Sequence, residues 1–237
     1  MSVRIGIIDS GINPFHSHVR SVSGGVALRR GGDGRIDVLD DFRDVIGHGT
    51  AVAGVIRQKV PQAELFAIKV FHRRLITAAD VIAEAIGWAV DHDLKLINLS
   101  LGTLNWKHRP LFERACQRAL DRGSIVIAPA RHRDQTILPG ALPCCLGVAM
   151  MASCSPEEYF YRRRGRQIEF LAHPWPRDLP GVPRERNLHG LSFAVAHMTG
   201  FAARLVNEHP DITLIELERQ LQRRGKKLAE DAHPSLR

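Results

Sequence analysis

Three polar residues stand at the ends of apolar segments, and their types together permit one kind of chemistry. Asp9 closes the short run Val3-Arg4-Ile5-Gly6-Ile7-Ile8 and begins Asp9-Ser10-Gly11. His48 opens the small-residue segment Gly47-His48-Gly49-Thr50-Ala51-Val52-Ala53-Gly54, and Ser192 opens a late apolar helix in Gly190-Leu191-Ser192-Phe193-Ala194. A serine hydroxyl attacks a carbonyl when an imidazole takes its proton, and a carboxylate fixes the imidazole tautomer and stabilises its cation. Small residues around His48 and Ser192 let two helix N-termini approach closely, as proton exchange requires. Singly, each residue has a plainer role as turn former, structural histidine or N-cap. Jointly, in this order, they point to acyl transfer.

The elements that must position these residues follow from hydrophobic patterning. Residues 3–8, 64–71, 94–101, 124–130 and 146–151 are near-continuous apolar runs, which read as buried strands. Helical patterns lie between them at 78–91 and 111–122, and two more follow at 192–206 and 212–222, the last with Ile212, Ile215, Leu217 and Leu221 expected inward. Buried strands alternating with helices imply right-handed crossovers and a mainly parallel sheet flanked by helices on both faces. In such sheets functional groups gather at strand ends, where Asp9 stands. One domain is expected over residues 1–222, with a basic C-terminal tail at 223–237.

Composition narrows the classes. The chain has 237 residues with 44% hydrophobic and 24% charged, so collagen-like, low-complexity and disordered classes are excluded. The formal net charge of +8 favours acidic partners in general and names none. No secretory leader precedes the first strand pattern, and no apolar run approaches the ~18 residues of a membrane span, so a cytoplasmic protein without membrane contact is expected. Cys116, Cys144, Cys145 and Cys154 lack paired metal-ligand spacing and are expected to be free thiols.

With these residues in view, the sequence resembles the subtilisin-like serine peptidases, the subtilase family. The order Asp, His, Ser agrees, and His48-Gly49-Thr50 followed by Val52-Ala53-Gly54 is the most specific match. Ile97-Asn98-Leu99-Ser100-Leu101-Gly102 looks like the family's substrate-binding strand, Asp9-Ser10-Gly11-Ile12 leads to His16 at the expected offset, and Gly200 keeps the helix glycine eight residues after Ser192. The resemblance implies a three-layer α/β fold with a parallel central sheet. It also implies a serine endopeptidase in which Ser192 is the nucleophile, His48 the general base and then acid, and Asp9 its orienting carboxylate, with Ser100, Leu101 and Gly102 binding the peptide. No cofactor is implied.

The departures from the family pattern are local. Where relatives place the Asn that donates to the oxyanion, this chain has His132, and Arg131 stands at the preceding glycine position. A ring N–H can replace the amide donor. A large cation in the wall of the pocket for the residue before the cut favours small or acidic residues there. Leu191 replaces the usual Thr and Ala196 the usual Pro beside the serine, which leaves ligation or cyclisation as a variant outcome. The acidic residue of the strong calcium site is His18, and a long loop after residue 56 is missing, so no metal is assigned, His16-x-His18 included.

Two readings from other classes accompany this one. A weak or inactive homologue would bind peptides along Ser100-Leu101-Gly102 by strand addition without cutting. Nucleic-acid binding would rest on the basic runs 162–166 and 223–227 alone, and none is expected. The expected partner is a peptide or protein substrate, which those runs would favour as acidic; no pro-region is expected, so either the chain folds unaided or a regulatory partner supplies control.

Overall fold

The computed structural model describes residues 2–228. Its elements run β1 (Arg4–Asp9), β2 (Gly24–Arg30), β3 (Ile36–Leu39), α1 (His48–Lys59), β4 (Glu64–Lys69), α2 (Ala79–Asp91), β5 (Leu96–Leu99) and α3 (Arg109–Asp121). They continue with β6 (Ile125–Pro129), β7 (Arg131–His132), β8 (Gln135–Thr136), β9 (Cys145–Met150), β10 (Phe160–Arg164), β11 (Gln167–Ala172), α4 (Leu191–Glu208), α5 (Leu214–Arg224) and β12 (Lys226–Lys227).

The core strands pair in parallel because each is apolar on both sides and must be covered twice. Ten strands form one sheet in the order β12-β10-β11-β9-β6-β5-β1-β4-β2-β3. The pairs β1–β4, β1–β5, β5–β6, β6–β9 and β9–β11 are parallel, while β2–β3 and β10–β11 are antiparallel near the two edges. Along β1, Ile5 and Ile7 join a core formed with α1, α4 and α5, and Ile8 joins a second core formed with α2 and α3. Period-2 alternation thus feeds two helical layers from one strand. This is the three-layer α/β fold expected from the pattern. Among the described residues no helix is long and apolar enough to cross a membrane.

Three details differ from expectation. Ile215 is 63% exposed; Thr213 caps α5, and the inward stripe is Leu214, Leu217 and Leu221, at helical spacing from that start. Helix α5 continues to Arg224, and Lys226–Lys227 pairs with β10, so part of the basic segment from Arg223 onward is built into the fold; residues 229–237 lie outside the described residues. The run 162–166 forms the turn of the β10–β11 hairpin, with Arg163, Arg164 and Arg166 exposed and Arg162 turned inward. Arg162 there is 6% exposed and donates to Glu169, itself 5% exposed, at 2.6 Å.

Candidate active site

Strand β1 lies between β4 and β5, where the chain's connections diverge to the two halves of the sheet, and its carboxyl end is the place where an open parallel sheet forms a cleft. Asp9 stands at that end, fully buried. One of its oxygens accepts from the Ser10 N–H at 2.7 Å. Both oxygens face Nδ1 of His48, at 2.7 and 2.9 Å. A carboxylate only accepts, so Nδ1 carries the proton and Nε2 is the acceptor of the neutral ring. Burial works against the charged imidazole, but the hydrogen bond and charge of Asp9, with Asp44 adding to them, outweigh it and hold the His48 pKa above its ordinary value.

Helix α1 delivers His48 at its first residue, and Gly49 allows the approach: a Cβ there would lie 2.2 Å from the Gly11 carbonyl oxygen and 3.2 Å from Asp9. Gly47, at the N-cap, offers no side chain to the free N–H groups of the first turn. Asp44 does so instead. It accepts from the N–H groups of Ile46, Gly47 and Thr50, from the Thr50 hydroxyl and from the Ser10 hydroxyl, all between 2.7 and 2.9 Å. The Ser10 hydroxyl in turn accepts from the Gly49 N–H at 2.9 Å. Asp44 therefore locks α1 to the end of β1, and the motif reading missed it. An acidic residue four positions before the histidine is the signal that could have found it.

Ser192 lies in the first turn of α4. Its hydroxyl donates to the Ser100 carbonyl at 3.0 Å, and no hydrogen bond joins it to His48 among the described residues. The neighbouring Phe193 ring packs against the His48 ring with centroids 5.5 Å apart. A second tie runs deeper: Thr199 on α4 donates to the Asn98 side-chain oxygen at 2.9 Å, and the Asn98 amide donates to the Ser100 hydroxyl at 2.8 Å. Helix α4 is thus tied to β5 through Thr199 and Asn98, and to the Ser100-Leu101-Gly102 segment that follows it through Ser192.

That segment runs past 137–138, with Thr103 and Leu138 exchanging backbone hydrogen bonds at 2.9 Å. A Cβ on Gly102 would fall 2.4 Å from Ile137 Cγ2, and the Ile137 N–H donates to Ala130 at 2.9 Å. Ile137 thus spans from the 100–102 segment to the end of β6, a residue that motif matching did not flag. A groove of about 590 Å³ borders Leu101, Gly102 and Thr103 and is lined by Phe71, Leu75, Ile76 and Leu111.

His132 is exposed on the small β7–β8 hairpin that follows β6, one strand beyond β5. Arg131 is engaged elsewhere. Its guanidinium donates to Glu169 at 3.2 Å and to the Asp134 carbonyl at 3.1 Å. The carboxylate that Arg131 was expected to attract from a substrate is supplied by Glu169 within the chain.

Comparison with known proteins gives the same frame. Residues 1–152 match the Subtilase family, a span containing Asp9, His48 and the 100–102 segment; Ser192 lies beyond it. A thermostable alkaline protease of Halalkalibacterium halodurans is 26% identical over an alignment of 237 positions that covers 92% of this chain and 60% of that protein. The chain spans about 60% of the length of several such relatives. A cold-adapted subtilisin-like serine proteinase superposes with a TM-score of 0.70 at 19% identity, covering 98% of this chain and 89% of that one. A lanthipeptide protease does so with a TM-score of 0.65 at 19% identity, covering 92% and 78%. With its family match running through most of the sheet, this chain belongs to the subtilase family.

Proposed function

We propose that the chain is a serine endopeptidase in which Asp9, His48 and Ser192 act together. The observation that carries this is the buried Asp9–His48 pair, which leaves Nε2 as the acceptor, beside a helix whose first turn bears Ser192. In the reaction the Ser192 hydroxyl leaves the Ser100 carbonyl and gives its proton to Nε2 as Oγ attacks the peptide carbonyl carbon. The tetrahedral oxyanion collapses to an ester on Ser192, and His48 returns the proton to the departing amine. Water then attacks the ester by the same route in reverse, and Ser192 regains its proton. The Ser192 N–H has no intrahelical partner in the first turn and is one donor to the oxyanion. His132 is the second, in place of an amide side chain.

The substrate lies along Ser100-Leu101-Gly102 by backbone hydrogen bonds. Ile137 fills the space between that segment and Ala130, so the residue before the cut is small. With Arg131 bound to Glu169, an acidic residue has no free cation to meet there. The groove beside Leu101 takes an apolar side chain further from the cut. The likeness to a lanthipeptide protease supports a dedicated peptide-processing enzyme of narrow specificity.

A second reading, peptide binding without cleavage, is favoured by one observation: the Ser192 hydroxyl is bonded to Ser100 and not to His48. Mass spectrometry of products from a peptide library, with wild type and Ser192→Ala, separates the two. The endopeptidase yields internal cleavages after small residues that vanish in the variant. A profile led by large aromatic residues contradicts the pocket assignment, and no Ser192-dependent product contradicts the enzyme.

A further inference from the structure

On the sheet face opposite α1 and α4, three thiols meet. Cys116 comes from the buried side of α3, Cys144 from the turn before β9 and Cys145 from the first position of β9. Their Sγ atoms all lie within 4.8 Å of one another, and the residues are 0%, 7% and 4% exposed. All three are free.

Neighbouring residues of an extended chain point to opposite sides, so adjacent cysteines do not ordinarily converge. Here a turn brings them together: the Cys145 N–H donates to the Leu142 carbonyl at 3.1 Å, which places Cys144 in the turn and Cys145 at the first position of the strand. Cys145 is held in register opposite Val126. The cluster is therefore fixed by backbone hydrogen bonds from β6, β9 and the preceding turn.

Three thiolates bound to one ion at about 2.3 Å would sit about 4 Å apart in a trigonal site, a separation that falls within the 4.8 Å bounding the three Sγ atoms. Thiolate sulfur selects soft cations and rejects calcium and magnesium. No His, Asp or Glu joins the cluster among the described residues, so the protein supplies three ligands only. Cys144 borders an open groove of about 810 Å³, through which an ion can enter and water can complete the coordination. The rim carries Arg114, Arg118 and Arg122 with Glu113 and Asp121, and Arg118 is paired with Asp91.

We infer that Cys116, Cys144 and Cys145 form a site for one soft d10 cation, Cu(I) or Zn(II), held by three thiolates. On binding, each thiol gives its proton to solvent and a sulfur–metal bond replaces each S–H bond; no electron is transferred. The ion ties α3 to β9 on the face away from His48 and Ser192.

The test uses the reduced, folded chain, titrated separately with Cu(I) and Zn(II) against a chromophoric chelator and followed by sulfur-to-metal absorption in the ultraviolet. One equivalent of one or both ions should bind, with release approaching three protons and a rise in melting temperature, and the two titrations show which ion is preferred. Cys144→Ser should weaken binding at least tenfold, and Cys154→Ser should leave it unchanged. If Cys144→Ser fails to fold, protection of Cys144 from alkylation in the wild type, mapped by mass spectrometry, gives the same answer. Uptake of neither ion overturns the inference. So does binding that survives Cys144→Ser, or loss of two thiols to a disulfide without an ion.

Discussion

His48 meets carboxylates from two directions, Asp9 through its hydrogen bonds and Asp44 through charge at the N-terminus of α1. Both favour the imidazolium, so the pKa lies above the ordinary value near 6.5. A general base must be neutral, so kcat/KM should fall as pH falls through that raised value. Asp44→Asn removes one favouring charge; the acid limb should move to lower pH, and α1 should lose part of its cap at about 1–2 kcal/mol of stability. A limb that stays in place contradicts the role of Asp44. At His132 the expected loss is larger. An oxyanion donor is worth about 2.7–4 kcal/mol, so His132→Ala should lower kcat roughly 100- to 1,000-fold with little change in KM, and His132→Asn should restore most of it. Unchanged turnover in His132→Ala would remove this residue from the mechanism.

At the scale of elements, the site depends on how α1 crosses α4, since one helix carries His48 and the other Ser192. Gly200 lies at that crossing. A Cβ there would stand 2.6 Å from Lys59 Cδ and 2.8 Å from Lys59 Cβ. Lys59 is not free to swing aside, because its ammonium donates to the Pro156 carbonyl at 2.5 Å and lies 4.3 Å from the centroid of the Phe201 ring. Burial pushes its pKa down to about 8 although Glu157 opposes the shift, so the stem is enclosed. Gly200→Ala should force the helices apart, destabilise the fold by about 1–3 kcal/mol in denaturant unfolding, and lower kcat. A variant more stable than wild type with full turnover would show that the crossing does not set the geometry. The glycine was visible in the sequence as a family feature; its cause, a lysine stem 141 positions earlier, was not.

For the molecule as a whole, the central strands were legible as nearly uninterrupted apolar runs and four helices as apolar stripes at helical spacing. Asp9 and His48 were legible because they punctuate those patterns. The outer strands were not: β2 and β10 mix buried and exposed positions, and only tertiary pairing makes them strands. Nor could spacing show that Arg131 and Arg162 share Glu169, or that Cys116 joins Cys144 and Cys145, because both contacts depend on sheet order. The proposed catalysis turns on Ser192, which lies outside the residues that match the family and holds its hydroxyl on Ser100. A fluorophosphonate reacts with a serine only when a neighbouring base activates it. Folded wild type should be labelled stoichiometrically at Ser192, with labelling abolished in Ser192→Ala and sharply reduced in His48→Ala. A folded wild-type chain that takes up no label, or one labelled equally well without His48, would contradict it.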